Sequence, residues 1–168
     1  MPQILKDSPR IYVGTYNAYN NGSLKGAWIN LDDCADEDAF FEAAVELHRD
    51  VVDPELMFQD WENIPDQFIS ESSLRPAFWD YLRAKQNTHL SEEAFDAGVN
   101  AGLPFDEVEK RYVGEFSNNH EIGIHLADQE CLFDGLPDFV ERYFDFDAYG
   151  RDAAMGWTES DGHYFVNY

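Results

Sequence analysis

The chain has 168 residues, with 34 Asp and Glu against 11 Lys and Arg, a formal net charge of -23. It is nevertheless 44% hydrophobic, with 13 Phe, 9 Tyr and 4 Trp, which excludes a disordered acidic tail and predicts a body able to bury its own core without metal or disulfide support. A pI near 4.2 excludes direct binding to nucleic acid or anionic lipid and points to a cationic partner surface.

Met1 to Arg10 is polar and broken by Pro2 and Pro9, so it reads as neither a signal peptide nor a membrane span, and no apolar run long enough for a span follows. Ile11 to Tyr16 and Ala27 to Leu31 are aromatic or β-branched, and Asn20, Asn21 and Gly22 between them tolerate positive φ, predicting a β-hairpin with a long loop. From Asp36 to Asp50 the period becomes helical: Phe40, Phe41, Ala44, Val45, Leu47 and His48 form the apolar side and Asp36 stands where a cap belongs. Glu55 to Trp61 reads as a strand returning to the hairpin. These elements make an α+β subdomain over residues 1–65.

Beyond Pro65 the signals are short helices with tight breaks. Ser73 is placed to cap a helix that runs to Gln86 with Phe78, Trp79 and Leu82 inward. Ser91 is placed to cap another with Phe95 and Val99 inward, ended by Gly102 and Pro104. A helical middle subdomain, 66–103, follows. Asp106 opens a third helix carrying Val108, Tyr112 and Val113. Asn118 to Cys131 is ambiguous, because Ile122, Ile124 and Leu126 alternate like a strand while Ala127 and the flanking acids suit a helix; helix is the reading taken. Pro137 opens a helix through Tyr143, Asp147 to Asp152 forms a short turn, and Gly162 separates strands near Met155 to Thr158 and His163 to Val166. Residues 104–168 thus form a C-terminal α+β subdomain. The fold class is α+β, with antiparallel sheets at both ends and helices in the middle; a chain of this length suits one domain or two to three small subdomains. Cys34 and Cys131 lack CxxC spacing and read as reduced, buried thiols of a cytoplasmic protein.

Asp38, Glu42, Glu46 and Asp50 recur at i, i+4, a row spaced by about 6 Å on one helix face. The row is read as having no basic partner, and each like-charged pair costs an isolated helix about 0.2 to 0.5 kcal/mol. A lone row of this kind is a solvated face. The bias recurs, however, at Asp53, Glu55, Asp60, Glu62 and Asp66, at Glu92, Glu93 and Asp96, at Asp106, Glu107 and Glu109, and at Asp134, Asp138, Glu141, Asp145, Asp147 and Asp152. With two phosphates per base pair, a charge of -23 corresponds to about 11 to 12 base pairs of duplex. A rigid lattice of such carboxylates would engage the Lys and Arg clusters that bind DNA.

Other chemistry is poorly supported. His120 and Glu121 precede His125 by five and four residues, whereas HExxH sets its histidines four apart on one face. A metal-dependent hydrolase would need His120, His125 and Cys131 to converge. The Asp145 and Asp147 region lacks the spacing of a calcium loop, and no GxSxG, P-loop or GxGxxG occurs. No metal, cofactor or catalytic residue is expected. Adaptation to high salt is a further account of the charge, supported by the low lysine content (Lys6, Lys25, Lys85 and Lys110) and fitting less well with the abundant aromatics.

Three segments resemble one family. RIYVGTYNAYNNGSLKGAW (Arg10 to Trp28) is similar to the opening hairpin of ArdA antirestriction proteins, FQDWE (Phe58 to Glu62) to their next strand, and LPDFVERYFDFDAYGRD (Leu136 to Asp152) to their antirestriction motif. The resemblance implies three subdomains in an elongated, curved homodimer that mimics bent B-form DNA. Such a dimer would occupy the DNA groove of a Type I restriction-modification enzyme, formed by its DNA-specificity and methyltransferase subunits. It also implies a mobile-element or phage-defence setting and a C-terminal dimer interface, for which Tyr112, Leu132 and Phe133 are the candidates. Asp36 and the acids of these rows other than Asp53, Glu55 and Asp134 are the nineteen candidate phosphate mimics, while Tyr143, Phe146 and Tyr149 are read as core that orients Asp145, Asp147 and Asp152, and Arg151 as the partner of a nearby acid. The rival reading is an acidic module that binds another basic regulator or nucleoid protein without imitating a helix.

Overall fold

The computed structural model describes residues 4–167; Met1 to Gln3, at the start of the polar N-terminal stretch, and Tyr168 lie outside the described residues. The chain is α+β, with a three-stranded antiparallel sheet near each end and helices between. It divides into two compact units between Asn87 and Thr88.

The first unit contains β1 (Arg10–Thr15), α1 (Tyr16–Asn20), β2 (Ala27–Asn30), α2 (Glu37–Leu47), β3 (Leu56–Glu62) and α3 (Ala77–Asn87). Its strand order is β2-β1-β3. Central β1 alternates as a one-faced sheet requires: Ile11 and Val13 are fully buried while Arg10 and Tyr12 stay half exposed. Tyr12 pairs with Asp60 but Val13 with Phe58, so Gln59 is the extra residue of a β-bulge. The expected hairpin is present, and its loop is partly helical because the Thr15 hydroxyl accepts from the Ala18 N–H and opens α1. Phe40 and Ala44 of α2 are fully buried. Phe40 meets Phe58 at 5.8 Å and Trp79 at 6.4 Å, and Trp79 meets Phe78 at 5.5 Å between ring centroids. Each buried Phe contributes about 1.5 to 3 kcal/mol of hydrophobic stabilisation. Buried His48, just past α2, donates through Nε2 to the Val13 carbonyl at 3.1 Å, which ties the helix end to β1.

Several expectations in this unit require correction. The apolar side of α2 is narrower than its composition indicates, since Val45 and Leu47 are 46% and 36% exposed. Ser73 caps nothing: an Ile69–Leu74 bridge forms a tight turn, and the Ser73 hydroxyl bonds that of Ser70 at 2.7 Å, four residues before α3 begins.

The second unit contains α4 (Glu92–Asn100), α5 (Val108–Arg111), β4 (Tyr112–Glu115), α6 (Asn119–Gln129), α7 (Phe139–Arg142), α8 (Phe146–Ala153), β5 (Thr158–Ser160) and β6 (His163–Phe165). Its strand order is β4-β6-β5. Phe95, Val108, Ile122 and Phe165 fill its core. Ser91 caps α4 as expected, accepting from the Ala94 N–H at 3.2 Å. The helix expected from Asp106 through Val113 is wrong. It lasts four residues, Asp106 does not cap it, and Tyr112 and Val113 enter β4. Tyr112 pairs with Phe165 of β6, about fifty residues later, where local periodicity carries no information, and Val113 falls at the register shift between Tyr112 and Gly114.

The ambiguous segment is helix α6. Asn118 accepts from the Glu121 N–H at 2.9 Å, and the Glu121 carboxylate accepts from the Ser117 N–H at 2.8 Å, a reciprocal clamp that favours helix over strand. The last hairpin turns through Asp161 and Gly162, both at positive φ, as a two-residue primed turn demands. Its first strand begins at Thr158, not Met155. Both cysteines are free, but Cys34 is half-buried and Cys131 exposed, which corrects the expectation of buried thiols. No helix among the described residues is long and apolar enough to cross a membrane.

Candidate acidic partner-binding surface

Charge placement follows from solvation. An unpaired buried carboxylate would forfeit several kcal/mol of hydration, and all 34 acids lie among the described residues without one being buried. Of the nineteen candidate contacts, only Glu92, Asp96 and Glu107 are even half-buried.

In the first unit, Asp36 accepts from the Ala39 N–H at 2.9 Å and thereby starts α2. Asp38, Glu42 and Glu46 occupy successive turns on the exposed side of that helix. The row does have bases, contrary to expectation: Arg49 reaches Glu46 at 3.0 Å, and Lys25 reaches Asp50 at 2.6 Å. Asp50 also lies beyond the helical end at Leu47, and its bond from Lys25 holds its carboxyl below the usual range. Asp38 and Glu42 have no hydrogen-bond or ion-pair partner among the described residues. On β3, Asp60 accepts from its neighbour Trp61, and Glu62 pairs with Arg10 at 2.7 Å while that guanidinium lies 4.4 Å from the Trp28 ring centroid. Asp66 is exposed in a 3-10 turn.

In the second unit, Glu92 and Glu93 stand in the first turn of α4, where the helix dipole favours them, with Asp96 one turn on. Asp106 is exposed. Glu107 receives Arg111 at 3.1 Å and Lys110 at 3.5 Å, and the Arg111 bond, partly offset by desolvation, holds its carboxyl low. Desolvation pushes Glu109 up, but bonds from His89 and Thr88 outweigh it and leave the carboxyl lowered. Asp138 and Glu141 are exposed around α7. Asp145 caps α8 by accepting from the Ala148 N–H at 3.0 Å, and Asp147 receives His120 at 3.2 Å. Arg151 does pair with a nearby acid, Asp152, at 3.0 Å.

The aromatic residues of the 136–152 segment divide. Phe146 packs on Phe133 and Phe144 at 5.9 and 5.0 Å, and Tyr149 donates its hydroxyl to Glu130 at 2.9 Å. Tyr143 is 84% exposed and therefore not core, because four-residue α7 carries it past the packed layer. Leu132 is exposed, Phe133 is half-buried against Phe144, and the Tyr112 hydroxyl shares a hydrogen bond with His163 Nδ1 at 3.1 Å. His120 is engaged by Asp147, whereas His125 packs on Phe116 at 5.1 Å and Cys131 lies past the end of α6, so the three do not converge. No group of three or more His, Cys, Asp or Glu placed to hold a metal ion occurs among the described residues.

Two glycines missed by sequence reasoning hold this segment in place. A side-chain carbon on Gly150 would overlap the Asn119 carbonyl, and one on Gly123 would overlap the Phe146 carbonyl, so α6 and α8 approach at backbone contact. The Ile-Gly-Ile sequence around Gly123 and the Tyr-Gly-Arg of α8 were the available signals.

Comparison with protein families decides the relationship: the model for antirestriction protein (ArdA) matches residues 11–165, nearly the whole chain. The chain belongs to the ArdA antirestriction family. No curated protein matches it. ArdA membership implies an antirestriction function exerted by inhibition through interaction with restriction-modification enzymes.

Proposed function

We propose that the chain is a DNA mimic that occupies the DNA-binding groove of a Type I restriction-modification enzyme, contacting its DNA-specificity and methyltransferase subunits and competitively blocking duplex binding. One observation carries this reading: every carboxylate of a chain with net charge -23 is at least partly solvent-facing, around aromatic cores that fix its position. The phosphate-mimicking set comprises the nineteen acids from Asp36 to Asp152 described above. Asp38, Glu42, Asp66, Glu93, Asp106, Asp138 and Glu141 are the strongest members, because no base satisfies them among the described residues.

The same reading includes a non-enzymatic, cytoplasmic protein carried by a mobile genetic element, with three subdomains at 1–65, 66–103 and 104–168. It acts as an elongated homodimer joined through the C-terminal part, where Leu132, Phe133 and Tyr112 are the proposed contacts. Attraction between carboxylates and a Lys- and Arg-lined groove is screened by salt. Affinity for a purified Type I enzyme should therefore fall at least about tenfold between 50 and 200 mM salt. An affinity unchanged over that range would sink the proposal.

A further inference from the structure

α2 carries more than a charged row. At about 100° per residue, Phe40, Ala44 and His48 share the arc turned to the core, and all three are buried. The next arc holds half-buried Phe41 and exposed Val45, and the arc after that holds Asp38, Glu42 and Glu46. These five outward residues line a shallow groove of about 460 Å³. An apolar strip with carboxylates along one side is unnecessary for imitating a phosphate backbone, which has no aliphatic counterpart at that spacing.

We infer that this face of α2 docks a basic amphipathic helix of a partner protein. Charge complementarity selects that occupant. Asp38 and Glu42 have no partner among the described residues, and Glu46 holds only an exposed pair with Arg49, which an incoming cation can exchange. Lys or Arg at i, i+4 on a facing helix repeats at the same spacing of about 6 Å as the three acids. Aliphatic residues on the adjacent arc of that helix then cover Val45 and Phe41, helix against helix as in groove recognition of amphipathic segments. The contact requires neither a restriction enzyme nor displacement of DNA, so it stands independently of the proposed function.

Two labelled Leu/Lys peptides of about 18 residues, about five turns, test it: one segregates Lys and Leu on opposite faces, and its isomer of identical composition scrambles them. Measured by fluorescence anisotropy, the segregated peptide should bind at least about tenfold tighter than its isomer, and Val45→Ser should remove about tenfold of that advantage while leaving the isomer unaffected. Glu42→Lys should weaken both. Amide shifts on adding the segregated peptide should concentrate between Asp38 and Glu46. Equal binding of the two isomers, absence of binding, indifference to Val45→Ser in a variant with unchanged melting temperature, or shifts centred elsewhere would overturn the inference.

Discussion

Single carboxylates in this chain serve two purposes that substitution can separate. Asp145 caps α8 and also adds charge to the 136–152 segment. Asn caps about as well as Asp, whereas Ala removes the bond at a cost of about 1 kcal/mol. Asp145→Asn should therefore leave the melting temperature nearly unchanged, and Asp145→Ala should lower it; equal melting of the two variants would show that the cap is not the stabilising feature. Gly150 allows no such latitude. Because its Cβ would overlap the Asn119 carbonyl, Gly150→Ala should cost about 3 kcal/mol as α6 and α8 are forced apart. Denaturant unfolding measures this directly, and a loss below about 0.5 kcal/mol would show that the helices can separate freely. That constraint is only weakly marked in sequence: the acids and aromatics are conspicuous there, while the residue permitting their placement has no side chain.

At the level of elements, α2 shows where charge opposes stability. Glu42 lies one turn from both Asp38 and Glu46 and makes no compensating bond among the described residues. Glu42→Gln removes two like-charged pairs and should raise stability by about 0.4 to 1 kcal/mol while weakening partner binding. Opposite signs in chemical denaturation and in binding would mark the residue as placed for contact; a loss of both would mark it as structural. The row was legible because helical periodicity is local, and Asp36, Ser91 and Asn118 were likewise legible as caps or helix starts. Pairings across the chain were not. Lys25 meets Asp50 through the geometry of the β1–β2 loop, and β4 exists only because β6 returns beside it. Val45 was assigned to the core face from its apolar type, whereas its angular position carries it outward.

For the whole molecule, net charge of -23 makes salt act in opposite directions on folding and binding. Self-repulsion destabilises the compact chain and is screened as ionic strength rises, so the melting temperature should increase between 0.05 and 0.3 M salt, while affinity for a basic partner falls. A melting temperature that falls with salt would contradict this. Acid has a defined effect at the paired groups. Lys25 holds Asp50 low, and Arg111, with a smaller contribution from Lys110, holds Glu107 low against its desolvation. The folded chain therefore binds those protons less readily than the unfolded one. Their contribution to stability is complete above the ordinary carboxylate range near pH 4 and is lost as pH falls through the depressed folded values.

The central claim is competition for one site, and raising the duplex concentration tests it most directly. With a purified Type I restriction-modification enzyme and labelled duplex, the amount of protein needed to displace half of the DNA should increase in proportion to duplex once duplex exceeds its own dissociation constant. A half-displacing concentration that stays constant as duplex rises, or no displacement at all, would contradict the account.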